Sequence, residues 1–286
     1  MSPSARTIRV ATVHWHDDRW VDVQLRYLNE HLPQPFRVYA FLTGLEADHS
    51  AKFHYSSDGK IRDHATKLNL LADLIAYDSD SDDDPLLFID GDAFPIADVQ
   101  PLVDDLRNHP LIAVKREEAS DMQPHPCFCL TTVGFWRELG GDWRRGGHSW
   151  TNAVGREVSD VGARVLKAVD ERNVNWRPLL RSNVTNAHPL FFGVYDDAVY
   201  HHGAGFRRGR GGRLMIAASG LHEARDSLRT RLLTSLPSGR TKRWLNRRFN
   251  KVRRMSEELR AQHDELSAQW FARIEADPHF YRDLLS

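Results

Sequence analysis

Short apolar runs alternate with amphipathic segments along the first two thirds of the chain. An apolar run at 8–13 precedes a segment, 19–31, whose apolar residues recur at helical spacing, and a second apolar run follows at 36–42. A strand, a helix and a strand at this spacing form a βαβ unit, so the pattern predicts a parallel sheet. Further helices are predicted at 63–75, 98–108 and 158–172, and further strands at 86–89, 111–114, 127–133, 176–180 and 198–202.

The apolar run at 86–89 ends in two carboxylates. Asp90 and Asp92 follow it directly, separated by Gly91. Four consecutive apolar residues are typical of a strand buried on both faces, and Pro95 is expected to stop further strand pairing. Open α/β sheets bind ligands at the carboxyl edge of their strands. Because carboxylates are hard oxygen ligands, we predict a divalent-cation site there that carries phosphate oxygens.

Charge is spread unevenly over the 286 residues, although the formal net charge is zero. Residues 1–206 carry 21 Lys and Arg against 30 Asp and Glu, whereas residues 207–286 carry 18 against 9. These net charges of −9 and +9 predict an acidic body at 1–206 and a separate basic extension at 207–286, which the sequence pattern indicates is helical. A weak heptad pattern within 241–275 leaves three roles open: packing on the body, peripheral membrane contact, or pairing with a second copy.

The two cysteines, Cys127 and Cys129, lie one residue apart and have no second pair. This spacing indicates reduced thiols in a core strand and not a disulfide framework or a zinc site. The first residues show no apolar signal region, and no apolar run approaches the length of a membrane span. We therefore expect a cytoplasmic protein, either free or peripheral at the inner face of the membrane.

The Asp-Gly-Asp sequence at 90–92, placed after a buried strand and an N-terminal βαβ unit, resembles the Asp-x-Asp motif of GT-A glycosyltransferases. The resemblance covers residues 8–208. It implies an α/β, Rossmann-like fold with a mixed, mainly parallel sheet flanked by helices, followed here by a C-terminal helical tail. In that family the motif holds Mn²⁺ or Mg²⁺, which bridges the diphosphate of a nucleotide sugar. The resemblance implies that Asp92 binds the metal directly. It implies that Asp90 reaches the ribose, or reaches the metal through a water molecule. Gly91 would lie between the two aspartates in the donor site.

Two further segments resemble parts of the same donor site. Residues 64–69 resemble a helix whose basic residue faces the diphosphate, which gives that role to Lys67. The stretch from His202 to Arg208 resembles the His-x-x-Gly-x-x-Lys sequence of glycogenin-like enzymes and bacterial galactosyltransferases. There the histidine completes the metal site, so His202 is the expected metal ligand, with the adjacent His201 as the alternative. Arg208 stands where the family has a lysine that binds diphosphate, and can make a bidentate contact.

The same resemblance assigns the nucleotide-base and acceptor ends of the site. By analogy with the family's first βα loop, Val13, His14 and Asp17 are the candidates for contacts to the nucleotide base. Asp160 resembles the aspartate that acts as general base in inverting members, and Asp142, in a tryptophan-flanked loop, is its rival. Asp160 also fits a purely structural role as a helix N-cap.

The implied activity is transfer of a sugar from a nucleotide diphosphate sugar, UDP-sugars being favoured, to a hydroxyl of an acceptor. The acceptor would be a glycan, a lipid-linked molecule or a small molecule, and the motif alone does not distinguish uridine, guanosine and thymidine diphosphates. Two alternatives stay open: a non-catalytic protein that binds a membrane or a partner through its basic tail, and an aspartate-dependent phosphatase. A phosphatase of that type carries its carboxylate pair on the first strand, whereas here two strands precede the pair. No nucleic-acid partner is expected, because few aromatic residues are interleaved with the arginines of the tail.

Overall fold

The computed structural model describes residues 6–32, 34–151, 157–203, 235, 239–240, 244 and 251–286, except for the side chains of 251–257 and 259–260. Its coordinates divide into two compact units, Met1–Gly203 with Tyr281–Ser286, and Ala204–Phe280. The roles predicted for residues 1–206 and 207–286 remain predictions. No described helix is long and apolar enough to cross a lipid bilayer.

The elements follow the alternation of apolar runs and amphipathic segments. The strands are β1 (Ile8–Trp15), β2 (Phe36–Thr43), β3 (Tyr55–Ser57), β4 (Pro85–Asp90), β5 (Ala93–Pro95), β6 (Leu111–Val114), β7 (His125–Thr132), β8 (Trp150–Thr151), β9 (Glu157–Val158), β10 (Arg177–Leu179), β11 (Gly193–Tyr195) and β12 (Val199–His201). The helices are α1 (Arg19–His31), α2 (His64–Asp78), α3 (Gln100–Asp105), α4 (Val133–Leu139), α5 (Ala163–Glu171), α6 (Lys251–Ala276) and α7 (Arg282–Leu285).

A seven-stranded sheet in the order β10-β6-β7-β4-β1-β2-β3 forms the centre of the first unit. Strand β7 runs antiparallel to its neighbours β4 and β6, and all other pairs in this sheet are parallel. Helices α2, α4 and α5 pack on one face, and α1 and α3 pack on the other. The predicted class, an α/β fold with a mixed, mainly parallel sheet flanked by helices and followed by a C-terminal helix, is confirmed.

Strand β4 lies between β1 and β7 and is buried on both faces, as its apolar sequence predicts. Leu86 and Phe88 belong to the core under α2, whereas Leu87 and Ile89 belong to the core under α1 and α3. Each of these side chains is at most 1% exposed, and burial of one such side chain contributes about 1.5–3 kcal/mol. The strand is thereby fixed in place, and its last residue, Asp90, emerges at the carboxyl edge of the sheet.

Pro95 ends a strand, as expected, but the residues just before it are themselves paired. Strand β5, which ends at Pro95, pairs antiparallel with β12 in a small sheet of order β11-β12-β5. Proline is tolerated there because β5 is an edge strand and Pro95 is its last residue. The pairing sets His201 opposite Ala93, the residue that follows Asp92. Both cysteines are free and buried within β7, as predicted.

Candidate active site

Asp90, Asp92 and His201 converge at the carboxyl end of β4. One ligand atom from each lies within 4.8 Å of the others. Nε2 of His201 is 3.6 Å from an oxygen of Asp92 and 3.8 Å from an oxygen of Asp90. Two ligand atoms that bind the same ion at about 2.1 Å lie about 3 Å apart when the ligand–ion–ligand angle is a right angle, and further apart when that angle is wider. The three side chains are therefore spaced to bind one divalent ion.

The electrostatics of these three side chains also suit a metal. Burial lowers the pKa of His201 below its ordinary value, although the two aspartates act in the opposite direction. The imidazole is therefore neutral at physiological pH and keeps a lone pair for coordination. Burial alone would raise the pKa of Asp90, but the charge of His64 and its hydrogen bond outweigh burial and hold this pKa well below its ordinary value. Two carboxylates with one neutral imidazole form a donor set that suits Mn²⁺.

The side chain of His202, the ligand predicted from sequence, is not part of this cluster, although its backbone N–H donates to the carbonyl oxygen of Asp92 at 3.0 Å. Side chains alternate along an extended strand, so His201 and His202 face opposite ways at the end of β12. His202 is fully buried, its Nδ1 lies 3.0 Å from the hydroxyl of Tyr200, and its ring contacts those of Trp20 and Phe192. The geometry therefore favours His201, the alternative left open by the sequence, and we revise the hypothesis to name His201.

Separate substitutions distinguish the two histidines. We expect His201→Ala to weaken Mn²⁺ binding about tenfold or more, because a direct ligand is lost, with little change in melting temperature. His202→Ala should leave Mn²⁺ binding intact but destabilise the fold by about 2–4 kcal/mol, through lost packing and a lost polar contact. Calorimetric Mn²⁺ titration and thermal melting of both variants measure this, and the opposite pattern would restore His202 as the ligand.

His64, for which no motif in the sequence indicated a role, contacts the cluster from the N-terminus of α2. Its Nε2 lies 2.9 Å from Oδ1 of Asp90. Asp63 fixes the start of the helix as its N-cap, accepting the backbone N–H of Thr66 at 2.8 Å. The signal available in the sequence was a histidine at the helix N-terminus, three residues before Lys67. The contact orients the Asp90 carboxylate, the kind of outer-shell support that metal ligands commonly have.

Lys67 is a buried cation on the same helix. Its Nζ donates to Oγ1 of Thr43 at 2.9 Å and lies 3.9 Å from the centre of the Trp15 ring. Burial lowers the pKa of Lys67 to about 8. No carboxylate pairs with it in the part of the chain that the structure describes. A buried ammonium without a counter-charge suits an anionic ligand, and Arg208, the other predicted diphosphate contact, lies outside the described residues.

An open cleft of about 1210 Å³ lies at the carboxyl ends of β1 and β2. Trp15 and Thr43, which both contact Lys67, form part of its wall. Lys60 and Arg62 also line it, as do three carboxylates, Glu46, Asp48 and Asp58, so the lining has no excess of Lys and Arg over Asp and Glu. An aromatic ring and hydroxyls beside the buried ammonium of Lys67 can hold a planar base and a phosphorylated group.

The three predicted base contacts do not line this cleft. His14 is buried, with its Nε2 3.1 Å from Oε1 of Gln24, and burial lowers its pKa to about 4. A Cβ on Gly91 would lie 2.8 Å from Nδ1 of His14 and 2.7 Å from the carbonyl oxygen of Val13, so this position needs glycine. Gly91 therefore lets the acidic turn approach β1 closely. That Val13 and His14 contact the base remains a prediction, and Trp15 is nearer the cleft surface.

Asp17, the third predicted base contact, forms an ion pair with Arg19 at 2.6 Å. The neighbouring Asp18 shapes the cleft instead. Its carboxylate accepts the backbone N–H groups of Glu46 and Ala47, each at 2.8 Å, and these two residues line the cleft. Asp18 thus anchors one wall of the cleft to the start of α1.

Asp142 is tied into a structural network. Its Oδ1 accepts hydrogen bonds from the side chains of Asn69 and Arg144, and its Oδ2 accepts one from Arg164 at 2.9 Å. Burial opposes ionisation of Asp142, but hydrogen bonds from these partners outweigh it and hold the pKa of the carboxyl well below its ordinary value. A carboxylate with so low a pKa is a weak base, so the geometry does not favour Asp142 as the general base.

Asp160 is half exposed and lies in the turn before α5. Its Oδ1 accepts the backbone N–H of Val161 at 2.9 Å and lies 3.2 Å from Nε of Arg145. Two residues later, Gly162 has φ +91°, and a Cβ there would lie 2.4 Å from the carbonyl oxygen of Pro124. The turn that carries Asp160 therefore packs tightly against the segment that leads into β7. Its role as general base remains a prediction.

No protein-family model matches the sequence, and no curated protein matches it. Among solved structures, the chain resembles the apo-form glycosyltransferase GlyE of Streptococcus pneumoniae TIGR4, with a TM-score of 0.38 and 13% identity over 94% of this chain and 64% of that one. A second GlyE structure has a TM-score of 0.32 and 15% identity, over 47% of this chain and 37% of that one. The galactosyltransferase LgtC, in complex with donor and acceptor sugar analogs, has a TM-score of 0.30 and 14% identity, over 46% of this chain and 60% of that one. The chain thus spans less than two thirds of each of these structures.

Proposed function

We propose that this chain is a metal-dependent glycosyltransferase that uses a nucleotide diphosphate sugar as donor. The observation that carries the proposal is the convergence of Asp90, Asp92 and His201 at the carboxyl edge of the sheet. The cleft beside Trp15 and the buried, unpaired charge of Lys67 support it, since a nucleoside diphosphate combines a planar base with two anionic phosphates.

Each part of the site matches one part of such a donor. Trp15 offers a face for the base, and Lys67 offers a cation to the diphosphate. Asp90, Asp92 and His201 would hold a divalent ion, Mn²⁺ being favoured by the imidazole. When bound, such an ion offsets the negative charge that develops on the leaving diphosphate. His64 would keep the Asp90 carboxylate ionised and oriented.

The reaction is a displacement at the anomeric carbon of the sugar. The bond from this carbon to the diphosphate oxygen breaks, and its electron pair leaves with the nucleoside diphosphate. A new bond forms from an acceptor hydroxyl oxygen to the same carbon, and the hydroxyl proton passes to a base. For an inverting reaction Asp160 is the candidate base. Assignment of the product anomer by NMR decides between inversion and retention.

Calorimetry tests the donor site directly. The protein is titrated with UDP, GDP and dTDP, each with Mn²⁺, with Mg²⁺ and without a divalent ion. We expect one nucleotide, UDP in the first instance, to bind at least tenfold more tightly with Mn²⁺ than without it. Absence of metal-linked binding for all three nucleotides would contradict the donor-site proposal. The acceptor, and the role of residues 241–275 at a membrane or in pairing, are separate proposals that flotation with anionic liposomes and light scattering address.

A further inference from the structure

His125, the first residue of β7, has its tautomer fixed by the backbone. The N–H of Cys127 donates to Nδ1 of His125 at 3.1 Å. Because a backbone N–H can only donate, Nδ1 must be an acceptor, and a neutral ring carries its proton on Nε2. Nε2 of His125 is therefore a hydrogen-bond donor and not a metal ligand. In this it differs from Nε2 of His201, although the two ring centres are 5.9 Å apart.

The same contact fixes the charge of the ring. Nδ1 cannot accept the Cys127 N–H while it carries a proton of its own, so the imidazole in this geometry is neutral. Within the described part of the chain, Nε2 of His125 makes no hydrogen bond. The site thus holds a neutral N–H donor that the described protein groups leave free.

Strand order places His125 beside the metal cluster, on the side away from the nucleotide cleft. The cleft lies at the ends of β1 and β2, the carboxylates at the end of β4, and His125 at the start of the next strand, β7. Because β7 is antiparallel to β4, its start lies at the same edge as the end of β4. A donor with its base in the cleft and its diphosphate at Asp90 and Asp92 would therefore extend its sugar over β7.

A second unpartnered polar group lies on the same segment. Gln123 is fully buried, and neither its amide oxygen nor its amide nitrogen finds a hydrogen-bond partner among the described residues. Its side chain packs against Gly162, two residues after Asp160. Burying an amide without a partner costs free energy, so such groups call for a functional explanation. The segment from Gln123 to His125 thus has free hydrogen-bonding capacity between the metal cluster and the candidate base.

We propose that His125 is a specificity-determining residue whose Nε2–H donates a hydrogen bond to a hydroxyl oxygen of the transferred sugar. The proposal rests on the proposed glycosyltransferase function and deepens it by assigning the sugar end of the donor site. A neutral donor suits a sugar hydroxyl, which is uncharged, whereas the diphosphate is served by Lys67 and the metal cluster. Since a site that bonds a hydroxyl discriminates strongly against an analogue that lacks it, this contact would select among donor sugars.

Matched titrations test the contact. Wild type and His125→Ala are titrated, with Mn²⁺ present, with the nucleoside diphosphate that binds best and with its glucose and galactose esters. We expect His125→Ala to bind the better sugar nucleotide about tenfold more weakly and the bare nucleotide unchanged. His125→Asn should recover most of the affinity, because its amide can accept from Cys127 N–H and still donate. His109→Ala, in a histidine that pairs with Asp105 on the α3 side, is the control.

Monodeoxy donors locate the hydroxyl. Removing the bonded hydroxyl should weaken wild-type binding about tenfold but leave His125→Ala binding unchanged, since the partner is already absent. Equal loss for the bare nucleotide and the sugar nucleotide would overturn the assignment and place His125 in the metal or diphosphate site. Unchanged binding by a well-folded His125→Ala would also overturn it. Failure of the wild type to bind any nucleotide with metal would instead remove the proposed function and this inference together.

Discussion

Replacement of Asp92 by Asn should abolish Mn²⁺-linked nucleotide binding and lower glycosyl transfer about 10³-fold or more. Asp92 is almost fully buried, 3% exposed, and lies 3.6 Å from Nε2 of His201. The amide keeps the shape of the side chain but removes the negative charge that a divalent ion requires. Stabilisation of a leaving diphosphate by a metal is worth several kcal/mol, and each 1.36 kcal/mol is a factor of ten in rate.

The stability of the Asp92→Asn variant separates a ligand from a structural residue. Asp90 and Asp92 are two carboxylates in one cluster, so removing one charge relieves repulsion in the metal-free protein. We therefore expect a melting temperature equal to or above that of the wild type. Asp73→Asn, at an exposed position on α2, is the control and should leave both metal binding and turnover unchanged. A large fall in melting temperature for Asp92→Asn would show that the carboxylate supports the fold.

The sequence was sufficient to predict the strand that carries the acidic pair. An unbroken apolar run can be buried on both faces of a sheet, and the first polar residues after it must lie at the sheet edge, so the position of Asp90 and Asp92 followed from local pattern. The same reasoning placed Lys67 on a helix upstream of the acidic pair. Its burial against Trp15 and Thr43 depends on contacts between elements, which no local pattern contains.

The choice between His201 and His202 shows where local pattern stops. Strand β12 has three residues, too few for alternation to show which side faces the core. What favours His201 is the pairing of β12 with β5, a contact across more than one hundred residues that sets His201 opposite Ala93. The local pattern at 93–95 shows only that Pro95 ends a strand and does not indicate the partner of that strand.

His14 illustrates the same limit for the nucleotide end of the site. The sequence pattern ended the first strand at Val13 and left His14 in the loop after it, whereas β1 runs to Trp15 and includes His14. However, its contact with Gln24 from α1, and the close approach of Gly91, bury the imidazole and leave the cleft to the next residue, Trp15. Side-chain direction at a strand end depends on what packs above it, so the strand was predictable and the residue that lines the cleft was not.

Replacement of Lys67 by Met should have opposite effects on stability and on binding. We expect nucleotide affinity to fall about 10- to 100-fold, because a charge-assisted contact to phosphate is lost. The melting temperature of the free protein should rise by about 2–4 °C or more, since a buried ammonium that has no counter-charge among the described residues is replaced by an apolar side chain of similar size. Lys167→Met, at a half-exposed position paired with Glu171, is the control and should change neither quantity appreciably.

The pH dependence gives a second measure of Lys67. Because its pKa falls from the ordinary 10.5 to about 8 in the folded protein, the ammonium is present below about pH 8 and is lost above it. Nucleotide affinity should therefore fall as pH rises through about 8 in the wild type, and this fall should be absent in Lys67→Met. Between about pH 8 and 10.5 the unfolded chain binds more protons at this group than the folded protein does. The group thus makes the wild type more stable with rising pH across that window, and the variant should lack this contribution. Nucleotide affinity that is independent of pH in the wild type would contradict a role for the Lys67 ammonium at the diphosphate.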